Sequence, residues 1–364
     1  MTHPTASRPA LARAFVALAF ALTGCGDNTV SPPGGDAATA VDAPAVMDTP
    51  EALDAGTVAA DAPTVATDVP PAMAEDVPEA PVVFGGCEGV AAGMVNGFTV
   101  DGVARSFILT LPAGATGAGG RWPVMFNWHG LGDNPANMNQ LLAGQVDNPT
   151  MPFVLVTPAS TGLGPTTNPL GLEWEQPRAR NPNREARLFD AVLGCLDRRW
   201  GVDRDRVYTV GFSAGAILSD LLGVLRGDQI AAVATYSGGY FSNPANPATL
   251  GALRNFVGWP ALPSTARYPQ LLLHGGARDT FNLSIATARF DQFAANDLGY
   301  LQAAGHDVVL CAHNGGHTVP TGVSGARLVE FFAAHPRTTA RSPWRAALPA
   351  GWPSYCTPQP ALGG

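Results

Sequence analysis

Ser213 has the sequence surroundings of a catalytic nucleophile. It lies in Gly211-Phe212-Ser213-Ala214-Gly215, after the β-branched and aromatic run at residues 207–210 and before a helix-like apolar stretch. A strand, a Gly-x-Ser-x-Gly turn and a helix in this order expose a serine hydroxyl on a strained turn. Because the chain contains 42 glycines, the five-residue pattern alone can arise by chance. The prediction that Ser213 is a nucleophile therefore depends on the strand before the pattern and the helix after it.

A serine hydroxyl needs a base within hydrogen-bond reach, and that base needs a carboxylate to orient it. Nucleophiles on this kind of turn are followed along the chain by the acid and then by the histidine. Asp279 follows a strand-like run that ends at His274, and His317 follows another that ends near Cys311. The separations of 66 and 38 residues each leave room for one helix and one strand. We therefore predict Ser213, Asp279 and His317 as nucleophile, acid and base.

Other acids and histidines compete for these roles. Asp220 falls inside the helix after the turn, where we expect a surface or capping acid, and Asp291 falls in the middle of a predicted helix. His313 is the alternative base, but it lacks the two glycines that precede His317 and free the backbone to turn an imidazole inward. We expect His274 to be a structural histidine that forms a hydrogen bond beneath the acid loop.

The negative charge that develops on an attacked carbonyl needs two aligned N–H donors. The backbone N–H of Ala214 is one candidate, since it lies at the start of the helix that follows the nucleophile. The second is expected in His129-Gly130-Leu131-Gly132, after an apolar strand-like run. We predict the N–H of Leu131, with Gly130 as the alternative, and expect His129 to shape this loop. A plain glycine turn is the other interpretation of the motif.

A segment rich in Gly, Pro, Thr and Asn, residues 160–183, lies between a predicted strand and a predicted helix. Loops at this end of a parallel sheet commonly determine specificity. Trp174 in this segment and Trp128 before the His-Gly loop could form an aromatic wall for a phenolic acyl group. Filling of the core is an equally good interpretation of both tryptophans.

Strand-like and helix-like stretches alternate along the chain. A hairpin pattern surrounds Asp101-Gly102, and helical spacing appears at residues 185–200, 286–301 and 328–334. Apolar strand patterns occur at residues 123–128, 153–157, 207–210, 231–236, 270–274 and 308–310. This alternation predicts an α/β fold with a mainly parallel central sheet and helices on both faces. Such sheets bind ligands beyond the carboxyl ends of their strands, where all the candidate residues fall.

The first 24 residues have the pattern of an export signal. Arg8 and Arg13 precede a short apolar core, which is too short to span a membrane and ends in Leu22-Thr23-Gly24-Cys25. These last four residues resemble the lipobox of bacterial lipoproteins, which implies cleavage before Cys25 and attachment of lipid to it. We expect an exported protein anchored by lipid to an outer membrane or cell surface. An ordinary signal peptide with a chance cysteine is the alternative.

The acidic residues are concentrated ahead of the folded part. Residues 26–85 contain 11 of the 29 acidic residues and none of the 21 basic residues. Residues 25–82 are rich in Asp, Ala, Pro, Val and Thr without aromatic residues, so we predict a disordered tether. The catalytic domain is then expected at residues 83–364. Its charges nearly balance, which argues against nucleic-acid binding, and no spacing in it indicates a metal or cofactor site.

The domain resembles the secreted polyhydroxybutyrate depolymerase and feruloyl esterase family of α/β-hydrolases. The resemblance spans most of residues 86–356 and rests on the following motifs: Gly86-Cys87-Glu88, Val100-Asp101-Gly102-Val103-Ala104-Arg105-Ser106-Phe107, Trp128-His129-Gly130, Val202-Asp203-Arg204-Asp205-Arg206-Val207-Tyr208, His274-Gly275 and Gly315-Gly316-His317-Thr318. It implies the α/β-hydrolase fold. It also implies hydrolysis of feruloyl or acetyl esters of polysaccharides, or of short hydroxyalkanoate polyesters. No separate module for binding a polymer is visible, which leaves insoluble substrates open.

Four cysteines follow Cys25, and an even number in an exported protein indicates two disulfides. Three pairings are possible. We favour Cys87 with Cys195 and Cys311 with Cys356, since both would tie chain ends to the core, while four buried thiols are the alternative.

The sequence thus predicts a serine esterase that works through an acyl-enzyme. A peptidase or amidase on the same fold is one alternative, because the same three residues serve both reactions. A non-catalytic binding protein is the other, and loss of one of the three residues would be its signature.

Overall fold

The computed structural model describes residues 80–161, 173–176, 183–245, 258–283, 286–339 and 341–363. The chain divides into two units, Met1–Ala72 and Met73–Gly364. All of the described residues lie in the second unit. The predicted leader, Cys25, most of the predicted tether and parts of the 160–183 segment fall outside the described residues. In the described ranges, no helix combines the length and the apolar character that crossing a membrane requires.

Eleven strands and five helices are described. The strands are β1 Gly93–Val100, β2 Val103–Thr110, β3 Trp122–Trp128, β4 Val154–Pro158, β5 Val202–Phe212, β6 Ala232–Tyr236, β7 Gln270–His274, β8 Thr280–Leu283, β9 Ala286–Arg289, β10 Val308–Ala312 and β11 Cys356–Gln359. The helices are α1 Pro135–Asn139, α2 Arg184–Trp200, α3 Ala214–Leu225, α4 Phe290–Ala303 and α5 Ala326–Ala334.

Nine strands form one sheet in the order β1-β2-β4-β3-β5-β6-β7-β10-β11. The six central strands, from β4 to β10, run parallel, and antiparallel strands close both edges. Parallel strands end at the same edge of a sheet, so the segments after β3, β5, β6, β7 and β10 meet there. The predicted α/β fold is confirmed.

Alternating side chains of the strands fill two cores. Val124 and Phe126 of β3 face a core built with α2 and α3, whereas Met125 of the same strand faces a core built with α5. Each face of the sheet therefore receives every second residue, as the two-residue period of a strand requires. A strand buried on both faces has an almost continuously apolar sequence, which explains why the central strands were identifiable.

Three differences from the predicted elements have physical causes. Residues 286–289 were predicted as the start of a helix but form β9, which pairs antiparallel with β8, so the helix begins at Phe290. The strand β11 was not predicted, because its sequence Cys-Thr-Pro-Gln has no apolar alternation and it forms by pairing with β10. Contacts also begin before residue 83, since Ala80 and Pro81 accept hydrogen bonds from Arg187.

Both favoured disulfides are present. Cys87 bonds to Cys195 of α2, with 5.5 Å between the Cα atoms, and ties the segment before β1 to the helix. Cys311 of β10 bonds to Cys356, its direct cross-strand partner in β11. The second bridge fixes the edge strand beside the chain that leads to His317.

Two buried histidines make the stability depend on pH. Burial lowers the pKa of His306 and of His335 to about 4. The Nδ1 of His306 bonds to the carbonyl of Tyr268, and its buried Nε2 has no hydrogen-bond partner among the described residues. In the unfolded chain these histidines become protonated as the pH falls below about 6.5, whereas in the folded protein they become protonated only near pH 4. The folded state is therefore destabilised relative to the unfolded state as the pH falls through this range.

We predict that His306→Asn flattens the loss of stability between pH 6.5 and 4. The wild type should lose about 1.4 kcal/mol per pH unit more than the variant in this window, as measured by urea unfolding. Above pH 7 the difference between the two proteins should be constant. The wild type has to be compared with the variant because other buried groups also change the stability with pH. Asp220, whose pKa is raised, makes the folded protein more stable as the pH falls, which is the opposite of the effect of His306. Parallel curves from pH 6.5 to 4 would contradict this account.

Candidate active site

The structure brings the three predicted residues together at the carboxyl edge of the sheet. The Nε2 of His317 lies 3.0 Å from the Oγ of Ser213, and its Nδ1 lies 2.7 Å from Oδ1 of Asp279. With the carboxylate at Nδ1, the imidazole carries its proton there, and Nε2 can accept the hydroxyl proton of the serine. The group has the geometry of an activated nucleophile.

The nucleophile occupies a strained turn. Ser213 has φ 55° and ψ −118° between β5 and α3, a conformation that costs about 1–3 kcal/mol in a residue other than glycine. A Cβ on Gly215 would lie 2.1 Å from the carbonyl oxygen of Trp128, and one on Gly211 would lie 2.1 Å from that of Gly215. The two glycines let β5 and α3 pass close to each other and to β3, and the turn lifts Ser213 above the sheet.

Three donors hold the acid. Asp279 is fully buried, and its Oδ1 accepts the hydrogen bond from His317. Its Oδ2 accepts from the backbone N–H of Gly275 at 2.7 Å and from the hydroxyl of Ser237 at 2.8 Å. Ser237 was not predicted from the sequence, since a serine after β6 carries no motif. The carboxylate is thus fixed from both of its oxygens.

The acid loop and the histidine loop are joined directly. The N–H of Gly316 donates to the carbonyl of Gly275 at 2.9 Å. A Cβ on Gly275 would lie 1.9 Å from the carbonyl oxygen of Gly316, so only glycine permits this approach. The contact sets the distance between Asp279 and His317.

The competing residues do not reach Ser213. His313 is buried four residues before His317, its ring lies beside that of Tyr355, and burial lowers its pKa. Asp291 pairs with Arg289 at 3.0 Å. The Nδ1 of His274 accepts a hydrogen bond from the N–H of Gly276, which fits the structural role we predicted for it.

The sequence suggested that Asp220 is a surface or capping acid, and this prediction is wrong. It is fully buried in α3 and accepts hydrogen bonds from the N–H of Gly239 and from Gln270. Burial, and then the nearby Asp297, raise the pKa of Asp220 well above its ordinary value. A polar residue on the buried side of a helix gives no sequence signal of the partners that satisfy it.

The predicted oxyanion loop passes beside the nucleophile. A Cβ on Gly130 would lie 3.5 Å from the Cβ of Ser213. The carbonyl of Gly130 accepts hydrogen bonds from the Nδ1 of His129 at 2.8 Å and from the N–H of Asp133 at 3.2 Å. In a trans peptide the N–H points opposite to the C=O, so these bonds fix the direction of the Leu131 N–H. The donor roles of Leu131 and Ala214 stay predictions.

The substrate roles predicted for Trp128 and Trp174 are wrong. Both side chains have no accessible surface and belong to the core that α2 and α3 cover. The indole N–H of Trp128 donates to Thr209, and that of Trp174 donates to the carbonyl of His129, each at 3.0 Å. Trp174 therefore supports the predicted oxyanion loop from behind, and its side chain has no exposed surface for a substrate.

A different set of aromatic residues surrounds the base. Phe290 stacks on the ring of His317 at 4.9 Å, and Phe212 and Phe281 lie 4.7 and 6.3 Å from it. Phe281 belongs to the β8–β9 ribbon, which the sequence did not predict. An apolar cluster extends from these rings: Ile217, Phe241, Trp259, Phe281, Phe290 and Phe293. Across the described ranges no group of three or more His, Cys, Asp or Glu side chains could hold a metal ion.

Comparisons with known proteins support the fold. The native structure of sOPH matches with a TM-score of 0.57 at 19% identity, over 75% of this chain and 96% of that chain. The native structure of pOPH matches with a TM-score of 0.55 at 18% identity, over 75% and 96%. Likeness at this level of identity shows the fold, and together with the topology it defines the α/β-hydrolase fold.

A curated protein matches part of the sequence. The "Probable feruloyl esterase C" of Aspergillus terreus (strain NIH 2624 / FGSC A1156) is 28% identical over 140 residues. The match covers 38% of this chain and 48% of that relative, so this chain spans about half of the relative's length. No protein-family model matches the sequence.

We predict that an organophosphonate labels Ser213 covalently. Ser213→Ala should abolish labelling, and Asp279→Asn should slow it by about a thousandfold or more, because the imidazole loses its orienting partner. Mass spectrometry of the labelled peptide and the rate of labelling measure both effects. Labelling that persists in Ser213→Ala would contradict the assignment.

We predict that His129→Leu slows labelling by about ten- to a hundredfold, since the Gly130–Leu131 peptide loses the donor that fixes it. His129→Asn should retain part of the rate, because its amide can donate from a similar position. Thermal unfolding checks that both variants are folded. Equal rates in the wild type and His129→Leu would exclude the role of His129 in this loop.

Proposed function

We propose that this protein is a serine carboxylic-ester hydrolase that works through an acyl-enzyme. The hydrogen-bonded series Ser213–His317–Asp279 at the carboxyl edge of a parallel sheet is the observation that carries the proposal. An α/β-hydrolase fold and the similarity to a protein named as a probable feruloyl esterase support it.

In the proposed reaction, the Oγ of Ser213 attacks the ester carbonyl while His317 Nε2 takes the hydroxyl proton. The imidazolium is stabilised by Asp279, and the N–H groups of Ala214 and Leu131 receive the oxyanion. His317 then gives the proton to the departing alcohol, which leaves the acyl group on Ser213. Water, deprotonated by His317, attacks this ester and releases the acid.

We propose feruloyl or acetyl esters of polysaccharides as substrates, with short hydroxyalkanoate polyesters as the alternative. The half-buried rings of Phe212 and Phe281, which lie beside His317, support a phenolic acyl group, since planar rings pack well against aromatic side chains. The similarity to the Aspergillus terreus protein named as a probable feruloyl esterase supports the same branch.

The test compares the wild type with Ser213→Ala on methyl ferulate, p-nitrophenyl acetate and a hydroxybutyrate oligomer. We predict ester hydrolysis that falls at least about a thousandfold in the variant. The preferred ester identifies the acyl class. Faster hydrolysis of the matching ferulic amide would favour an amidase, and turnover that is equal in both proteins or absent from both would favour a binding protein.

We further propose that Cys25 carries lipid and that residues 25–79 tether the enzyme to a membrane surface. The basic residues, the short apolar core and Leu22-Thr23-Gly24-Cys25 support this anchor. Cys25→Ser should move the protein from the membrane fraction to the soluble fraction while ester hydrolysis is unchanged. A wild type found wholly in the soluble fraction would contradict the anchor.

A further inference from the structure

We propose that Ser237 is a positioning residue of the active site, acting on His317 through Asp279. The proposal rests on the function proposed above and concerns the hydroxyl of Ser237, which donates to Oδ2 of Asp279 at 2.8 Å. Ser237 is 1% exposed and Asp279 is fully buried, so water does not compete for this bond. Hydrogen bonds to a buried carboxylate are among the stronger ones in proteins.

The backbone at Ser237 is held in an uncommon conformation. Its φ is 62°, and in the described ranges only Asp101 and Ser213 are other non-glycine residues with positive φ. Its N–H donates to the carbonyl of Leu273 at the end of β7, which places it beside the acid loop. Glycine would adopt this conformation at lower cost. A serine here, followed by Gly238 and Gly239, indicates that its hydroxyl is used.

Two buried carboxylates anchor the loop that begins at Ser237. The N–H of Gly239 donates to Oδ2 of Asp220 at 2.8 Å, and the N–H of Tyr240 donates to Oδ2 of Asp297 at 3.0 Å. Asp220 lies in α3, the helix that starts directly after Ser213. Ser213 therefore lies at the start of α3, and the loop that begins at Ser237 is bonded to Asp220 in the same helix.

This arrangement determines what the hydroxyl does. Oδ2 is fixed by Ser237 and Gly275, so Oδ1 is held toward the Nδ1 of His317. Without the hydroxyl, Oδ2 keeps only the donor from Gly275, so the carboxylate retains more negative charge and stabilises the imidazolium more strongly, although it is fixed less firmly. The base would then keep its proton to higher pH and be less well oriented toward Ser213.

The titratable groups around this carboxylate are His317, His274 and His313, with Asp291 farther out beside His274. Burial lowers the pKa of both His274 and His313. Both histidines are present in every variant, so an acid limb of the pH profile that is displaced only in the Ser237 variants arises from the change at Asp279.

The experiment compares Ser237→Ala and Ser237→Gly with the wild type in the full-length protein. Both lose the hydroxyl, but glycine relieves the positive φ and alanine does not. We expect kcat for p-nitrophenyl acetate to fall by about ten- to a hundredfold in both, with KM little changed. The midpoint of the acid limb of kcat/KM should move to higher pH in both.

Ser342→Ala is the matched control. Ser342 is also a buried serine, and its hydroxyl bonds to Nε2 of a histidine outside the site, His335, at 2.7 Å. This variant should lower the thermal unfolding temperature without moving the acid limb. The same shift in Ser342→Ala would mean that loss of any buried serine hydroxyl produces it, and would overturn the proposal.

A second readout does not depend on ester hydrolysis. The far-downfield proton resonance of His317 Nδ1, assigned by its loss in His317→Gln, reports the bond to Asp279. It should shift in both Ser237 variants and stay in place in Ser342→Ala. Full activity with an unchanged resonance in Ser237→Gly would show that only the backbone conformation matters and would overturn the proposal. Absence of esterase activity from the wild type would reject the proposed function while this resonance still tests Ser237.

Discussion

The hydrogen bond between the Nδ1 of His317 and Oδ1 of Asp279 is the constraint around which the site is built. Its two residues come from the ends of β7 and β10, which are neighbours in the sheet. The sheet alone brings the loops near each other, but it does not set the distance. The contact between Gly275 and Gly316 does so, and the donors on Oδ2 prevent the carboxylate from turning away.

Strain and burial are concentrated at the same edge of the sheet. Ser213 and Ser237 both have positive φ, and both follow strands of the parallel core. Behind them, α3 buries Asp220 under the loop after β6, and Trp174 supports the loop after β3. Such conformations persist only where the surrounding structure fixes them. The helices and buried polar bonds around this edge provide that support.

The sequence predicted the features that local rules control. Ser213 was identifiable because glycines flank it between a strand and a helix, and the order of the acid and the histidine followed from the topology. The hairpin at Asp101-Gly102 and the buried strands gave similarly direct signals. The disulfides were chosen from three pairings by where they would tie the chain, and the cross-strand pair in β10 and β11 agrees.

What the sequence could not predict depends on tertiary contacts. Residues 286–289 have a pattern compatible with a helix, yet pairing with β8 makes them a strand. Trp128 and Trp174 could have faced substrate or core, and only the folded chain shows their indole N–H groups bonded inside. Ser237 and Asp220 are not part of a recognisable motif, and their partners come from other elements.

The central claim is that Ser213 carries an acyl group during turnover. Rapid quenching of the protein with a p-nitrophenyl ester, followed by mass spectrometry of its peptides, tests this directly. The account predicts a mass increase equal to the acyl group on the peptide that contains Ser213, formed with the burst of nitrophenol. An adduct on another residue, or nitrophenol release with no adduct on Ser213, would contradict it.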